Sequence, residues 1–309
     1  MTAPTTTPTS AGAPGSGPAP TPPFGRLLLT AVAPATWGTT YVVTTHLLPP
    51  GHPLFAALLR TLPAGLLALA LTRQLPWGSW WWRSLVLGGL NMGAFFPLLF
   101  VAAQRLPGGV AATLGAVQPL LIAFLAALLL PERLSGWRLL WGVVGVVGIG
   151  MVVLGPTARL DPLGIAAGLG GAASMATGVV LTKRWGRPAG ASAVTLAGWQ
   201  LTGGGLLLLL PALLVDGMPP GIDARATAGY LWLGLVGALL SYSLWFAGIM
   251  QLPVAPTALL GLLSPLVAGL LGALVAGESL SPLQLAGFAV ASTAMVGGQL
   301  PPSRRRSGR

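Results

Sequence analysis

The chain is a succession of apolar runs of about twenty residues, with its charged side chains gathered into short clusters between them. A bilayer-spanning helix needs about 20 mainly apolar residues. Ten such stretches can be marked, at 27–48, 53–72, 84–104, 109–130, 137–154, 163–182, 193–214, 229–250, 254–276 and 282–300. They are rich in Leu, Ala, Gly and Val and lack the period-2 alternation of barrel strands, which leaves a helical bundle as the spanning structure. Only 7% of the residues are charged, against about 25% in an average soluble domain. That is too few to cover a soluble surface. The expected fold is an all-α integral membrane protein.

Charge placement then orients the bundle. With the N-terminus inside, Arg26, Arg73, Arg83, Arg133, Arg138, Lys183, Arg184, Arg187, Arg304, Arg305, Arg306 and Arg309 fall on the inner side. Arg105, Arg159 and Arg225 fall outside, and Arg60 lies within a span. Twelve against three favours cytoplasmic termini by the positive-inside rule. The net charge of +11 is therefore read as contact with anionic headgroups, with no nucleic-acid footprint. Trp77, Trp80, Trp81 and Trp82 read as an interfacial belt. Residues 1–26 form a tail without an acidic side chain, disordered by composition, and 301–309 a basic cytoplasmic tail.

Several chemistries are excluded. With no cysteine and with two histidines, His46 and His52, placed at the outer surface, neither a disulfide nor a metal cage is expected. No Walker-type phosphate loop is present. Apart from His46 at the outer end of the first, the spans hold no acid or histidine for a proton relay. The five acidic residues are scattered, which argues against a membrane-embedded enzyme, and no cofactor is implied.

The two halves repeat. Leu106-Pro107, Pro119, Glu132 and Leu134-Ser135 recur as Leu252-Pro253, Pro265, Glu278 and Leu280-Ser281, all displaced by 146 residues. Leu87-Gly88 and Phe100 recur as Leu233-Gly234 and Phe246 at the same displacement. Five spans per half is an odd number, so the second half, 156–300, runs opposite to the first, 27–155. Inverted-topology repeats are the architecture of alternating-access carriers, with the substrate near the midplane between them.

These features resemble the EamA-type branch of the drug/metabolite transporter superfamily. The resemblance rests on Trp37-Gly38-Thr39, Arg60, Ala111-Ala112-Thr113 followed by Pro119 and Glu132-Arg133-Leu134, and Ala258, Pro265 and Glu278 in the second half. Thr39 stands where that family usually has Ser, and the second half lacks a Trp-Gly pair and a helical Arg, with Met175-Ala176 and Trp199-Gln200 near those places. The resemblance implies a secondary carrier of the bacterial plasma membrane, an exporter of small metabolites such as amino acids. Multidrug efflux and flipping of lipid-linked intermediates are the alternatives. A single chain holds both halves, so a monomer suffices, and a dimer is compatible.

Arg60 is the sharpest candidate for the site. An arginine about 10 Å into a span is costly unless it meets water or a partner. It can bind a carboxylate or phosphate as a charge-assisted fork, or it can be a structural snorkelling or capping group. Trp37, Thr40, Tyr41, Asn91, Phe95, Gln118, Trp199, Gln200, Ser241, Tyr242 and Trp245 are the other candidate substrate contacts, being polar or aromatic on otherwise apolar helices. Pro119 and Pro265, expected deep in helices, read as hinges or as static bends. Glu132 and Glu278 read as helix-end groups.

Overall fold

The computed structural model describes residues 24–105, 114–153, 161–276 and 281–300. Within them the chain is helical, with no strand. The first half supplies α1 (Phe24–Gly38), α2 (Thr40–Leu47), α3 (Pro53–Thr72), α4 (Trp80–Gly88), α5 (Phe95–Arg105), α6 (Gln118–Leu129) and α7 (Gly136–Val153). The second supplies α8 (Pro162–Trp185), α9 (Ala193–Pro211), α10 (Ala224–Leu231), α11 (Ser241–Gln251), α12 (Val254–Leu259), α13 (Leu263–Ala276) and α14 (Pro282–Gln299). Three π-helical segments interrupt the regular winding. Gly89–Ala94 joins α4 to α5, Ala212–Asp216 ends α9, and Trp232–Leu240 joins α10 to α11.

Six of these helical paths are long and apolar enough to cross a membrane, and shorter apolar helices run over Leu114–Leu129 and Gly136–Met151. Leucines and valines point outward along them: Leu210 is 65% exposed, Leu214 80% and Leu274 70%. A surface of this kind is stable against lipid and not against water. The helix starts are locally encoded. Asp161 Oδ1 accepts from Gly164 N (2.7 Å), and Asp223 Oδ1 accepts from Ala226 N (2.7 Å). Ser192 and Ser281 form capping boxes with Thr195 and Gln284. Each supplies an acceptor to an otherwise orphaned N–H.

Helices pack in crossed pairs. α1 lies against α11, α3 against α9, α5 against α8, α6 against α12, and α7 against α14. α6 also meets α8, and α1 meets α13. Small residues permit the closest approaches, since lipid tails give no hydrophobic drive for helix association and backbone proximity must. A Cβ at Gly65 of α3 would stand 2.5 Å from Thr202 N of α9 and 2.9 Å from Leu201 C. The third helical path starts at Trp80, four residues before the expected 84, because the indoles shelter Arg83 and let the helix begin across it.

Candidate functional site

α3 begins with Pro53 in its first turn, and Asp216, from the end of the π segment after α9, receives Leu54 N and Phe55 N on Oδ2. That cap fixes the depth of Arg60, two turns further on. Arg60 is 8% exposed. Its Nη2 donates to the Gly237 carbonyl at 3.2 Å, and its guanidinium carbon lies 4.9 Å from the Phe96 ring centroid. Trp37 Nε1 from α1 donates to the same carbonyl at 3.0 Å. One backbone oxygen thus gathers donors from two helices of the first half. It belongs to the π segment Trp232–Leu240, a winding that moves carbonyls off the regular ladder and recurs at functional sites.

Aromatic rings line the same place. Trp37 lies 5.1 Å from Tyr242 and 5.4 Å from Trp245, and Tyr242 lies 5.6 Å from Phe246. Thr36 Oγ1 and Ser241 Oγ are 2.8 Å apart, and Ser241 also donates to Val236 O (2.6 Å). Gly38 completes the turn: a Cβ there would meet Ser264 O at 2.7 Å and Val267 Cβ at 2.6 Å. The Trp37-Gly38 pair therefore has a physical reading, one residue to reach α11 and one to let α13 approach.

A second polar junction sits where the other π segment meets α8 and α9. Asn91 Nδ2 donates to Gln200 Oε1 at 2.7 Å, with both residues fully buried. Ser174 Oγ of α8 donates to Leu90 O (2.8 Å). Asn91 Oδ1 and Gln200 Nε2 keep no hydrogen-bond partner. Phe95 lies 5.4 Å from Phe96, the ring against which Arg60 rests.

The structure thus brings Arg60, Trp37, Ser241, Tyr242 and Trp245 together, with Phe95 adjoining them. Asn91 and Gln200 form their own pair. Trp199 belongs elsewhere: its Nε1 donates to Gln74 O (2.8 Å) and its ring meets Trp77 (5.1 Å) and Trp80 (5.7 Å). Trp80 itself is buried in this cluster, whereas Trp81 and Trp82 of the same stretch are exposed. Gln118 is half-buried at the start of α6, and Thr40 opens α2 with its hydroxyl buried and without a hydrogen-bond partner. Tyr41 lies in α2, its side chain outside the described residues, as are Ala111-Ala112-Thr113, Glu278, 1–23 and 301–309, while 24–26, expected in the tail, begin α1.

Pro119 lies within the helical path Leu114–Leu129, and Pro265 within the path Val254–Leu271. Pro119 is the second residue of α6, after a break at Val117, and Pro265 is the third of α13, after the 3₁₀ turn Leu260–Leu262. In each path the regular winding is interrupted within the turn that precedes the proline, where the missing N–H and the ring disturb the ladder.

The sequence profile of the EamA-like transporter family matches twice, over residues 25–154 and again over 162–297. The chain belongs to the EamA-like transporter family. Protein PecM of Dickeya dadantii is 46% identical over 264 residues, covering 85% of this chain and 89% of that protein. The uncharacterized inner membrane transporter YedA of Escherichia coli K12 is 27% identical over 285 residues, with 89% and 90% covered. A solved crystal structure superposes with a TM-score of 0.73 at 20% identity, covering 89% of this chain and 97% of the other, which shows a shared fold. The chain is a multi-pass membrane transporter.

In this EamA-family protein two further residues matter, Lys183, which sequence reasoning left as an ordinary basic group, and Glu132, which it read as a helix-end group. Lys183, the single lysine, donates from Nζ to Ile249 O (2.7 Å), Met250 O (3.2 Å) and Leu252 O (3.0 Å), closing the end of α11. Glu132 Oε1 accepts from Val254 N (3.1 Å) at the start of α12. The pair clamps both sides of one sharp turn, the glutamate at a helix start and the lysine at a helix end, as the helix dipole favours. Lys183→Met removes the donor from all three carbonyls, which lie in buried or half-buried residues. The expected result is a loss of about 1–3 kcal/mol of stability, read as a fall in the midpoint of thermal unfolding in detergent. Gly237 was also missed, since it offers no side chain to notice. The signal was present: it stands 146 residues after Asn91, the displacement that relates the halves.

Proposed function

We propose that the protein is a secondary carrier that exports small metabolites such as amino acids across the bacterial inner membrane. In this reading it works by alternating access between two inverted five-helix halves, 27–155 and 156–300. Both termini are cytoplasmic, as the twelve-to-three charge split favours, and a monomer suffices. Ten spans are counted by adding the paths 80–105 and 282–299 and the two shorter apolar helices to the six long ones.

The inverted repeat is supported by the packing. Exchanging the halves turns the α1–α11 pair into the α8–α5 pair, while the α3–α9, α6–α12 and α7–α14 pairs map onto themselves. The π segments Gly89–Ala94 and Trp232–Leu240 end 146 residues apart. Arg60 of α3 reaches Gly237 in one, and Gln200 of α9 reaches Asn91 in the other.

The observation that carries the reading is the Arg60–Gly237 contact. It places a buried cation, within an aromatic lining, on a hydrogen bond that joins the halves. A carboxylate offers the guanidinium an opposite charge and two parallel acceptors, which one neutral carbonyl does not. A ligand carboxylate would take the Nη2 donor from Gly237 O and loosen the contact between α3 and the π segment. The rings of Trp37, Tyr242 and Trp245 offer flat apolar faces with polar edges to the rest of the ligand. Binding and rocking of the halves would then be one event.

The test is counterflow. Purified protein in liposomes loaded with unlabelled amino acids should accumulate the same labelled amino acid, and a trapped non-substrate should drive no uptake. Protein that is folded and correctly inserted yet exchanges no member of an amino-acid panel would overturn the substrate assignment.

A further inference from the structure

The first turn of α4, Trp80-Trp81-Trp82-Arg83, meets the last turn of α8 at Trp185. Arg83 sits inside three indoles, its guanidinium carbon 5.7 Å from the Trp80 ring, 5.6 Å from Trp82 and 5.6 Å from Trp185. Trp82 and Trp185 meet edge to face at 5.1 Å, which closes the cage on one side. A guanidinium held against rings loses little further freedom when it binds an anion.

The donors of this arginine are not used by the protein. Its Nε is buried without a hydrogen-bond partner, and among the described residues the Arg83 side chain forms neither a hydrogen bond nor an ion pair. Arg184 and Arg187 flank Trp185 in sequence and are exposed, and neither is paired with an acid. The acidic side chains described are engaged elsewhere, Glu132 on Val254 N, Asp161 on Gly164 N and Arg105, Asp216 on α3 and Asp223 on Ala226 N. Beside the cage stand Trp81, 59% exposed, and Trp82, 51% exposed. Exposed indoles settle at the headgroup level of a bilayer.

We propose that Arg83, in its tryptophan cage and with Arg184 and Arg187, is a specific binding site for the phosphate of an anionic phospholipid. A lone phosphate could use the guanidinium donors, but it has no acyl chain to lie along the exposed indoles. The lipid matches both parts: phosphate on the arginines and glycerol-acyl region on Trp81 and Trp82.

The full chain, purified in detergent, is mixed with phosphatidylglycerol, phosphatidylcholine or inorganic phosphate, and followed by native mass spectrometry and thermal unfolding. Phosphatidylglycerol should stay bound and raise the unfolding midpoint, while the other two should not. Arg83→Gln should weaken that retention about tenfold, and Arg225→Gln, an exposed arginine on another element, should leave it unchanged. If Arg83→Gln fails to fold, the doubly substituted Arg184→Gln, Arg187→Gln protein replaces it, because both positions are exposed, and the same drop is expected. Retention equal to wild type in the folded variant, or equal stabilisation by phosphatidylcholine or by phosphate, would overturn the site.

Discussion

Arg60→Ala should abolish counterflow while leaving a folded protein. A charge-assisted hydrogen bond to a ligand carboxylate is worth about 1.5–3 kcal/mol, so affinity for the exchanged amino acid should fall by roughly 10- to 100-fold. Arg60→Lys keeps the charge and loses the planar fork, and should lie between the two. The geometry separates a ligand role from a scaffolding one. Trp37 Nε1 still reaches the Gly237 carbonyl at 3.0 Å when Arg60 is cut back, so that oxygen is not orphaned. The unfolding midpoint should therefore drop modestly while exchange disappears. A variant that loses stability and flux in proportion, with ligand affinity intact in the remaining folded fraction, would make Arg60 a structural clamp.

Gly65→Leu should have the largest effect on folding. The obstacles to a side chain there are backbone atoms of α9, Thr202 N at 2.5 Å and Leu201 C at 2.9 Å from the first carbon. Backbone cannot swing aside as a flexible side chain can, so α3 and α9 must separate. Overpacking commonly costs about 1–3 kcal/mol, and this contact asks for more. The expected outcome is loss of the monodisperse peak on size exclusion in detergent. Gly115→Leu is the matched control, because nothing lies within 4 Å of a Cβ at that position. A normal elution profile for Gly65→Leu would show that the α3–α9 crossing adapts.

The long apolar helices were legible in the sequence because the bilayer admits few solutions, and a run such as 53–72 or 193–214 carries its own length and polarity requirement. The family was legible for a different reason, the spacing of Trp37, Arg60, Pro119 and Glu132. The site was legible only in part. Sequence gives depth along a helix but not the face turned to a neighbour. Trp37, Ser241, Tyr242 and Trp245 share a junction with Arg60, whereas Trp199, at a depth that looked equivalent, turns to Gln74 and the Trp77–Trp80 cluster. Gly237 acts through a backbone oxygen, which no scan for polar side chains detects. Pro119 and Pro265 were legible as interruptions of helical winding, since a proline inside a helical path removes one ladder hydrogen bond wherever it falls.

A π-helical turn is an α-helix holding one residue too many. Deleting a single residue from 232–240 would let the ladder close as an ordinary helix. Everything beyond would then swing by about 100° about the axis, carrying Tyr242 and Trp245 away from Trp37. The surplus residue is therefore what aims the aromatic face. The segment around Asn91 holds a matching surplus, ending at the corresponding position. If the halves descend from one ancestral unit, the extra residue was already inserted before that unit was copied. The awkward winding would then be older than the transporter it now serves.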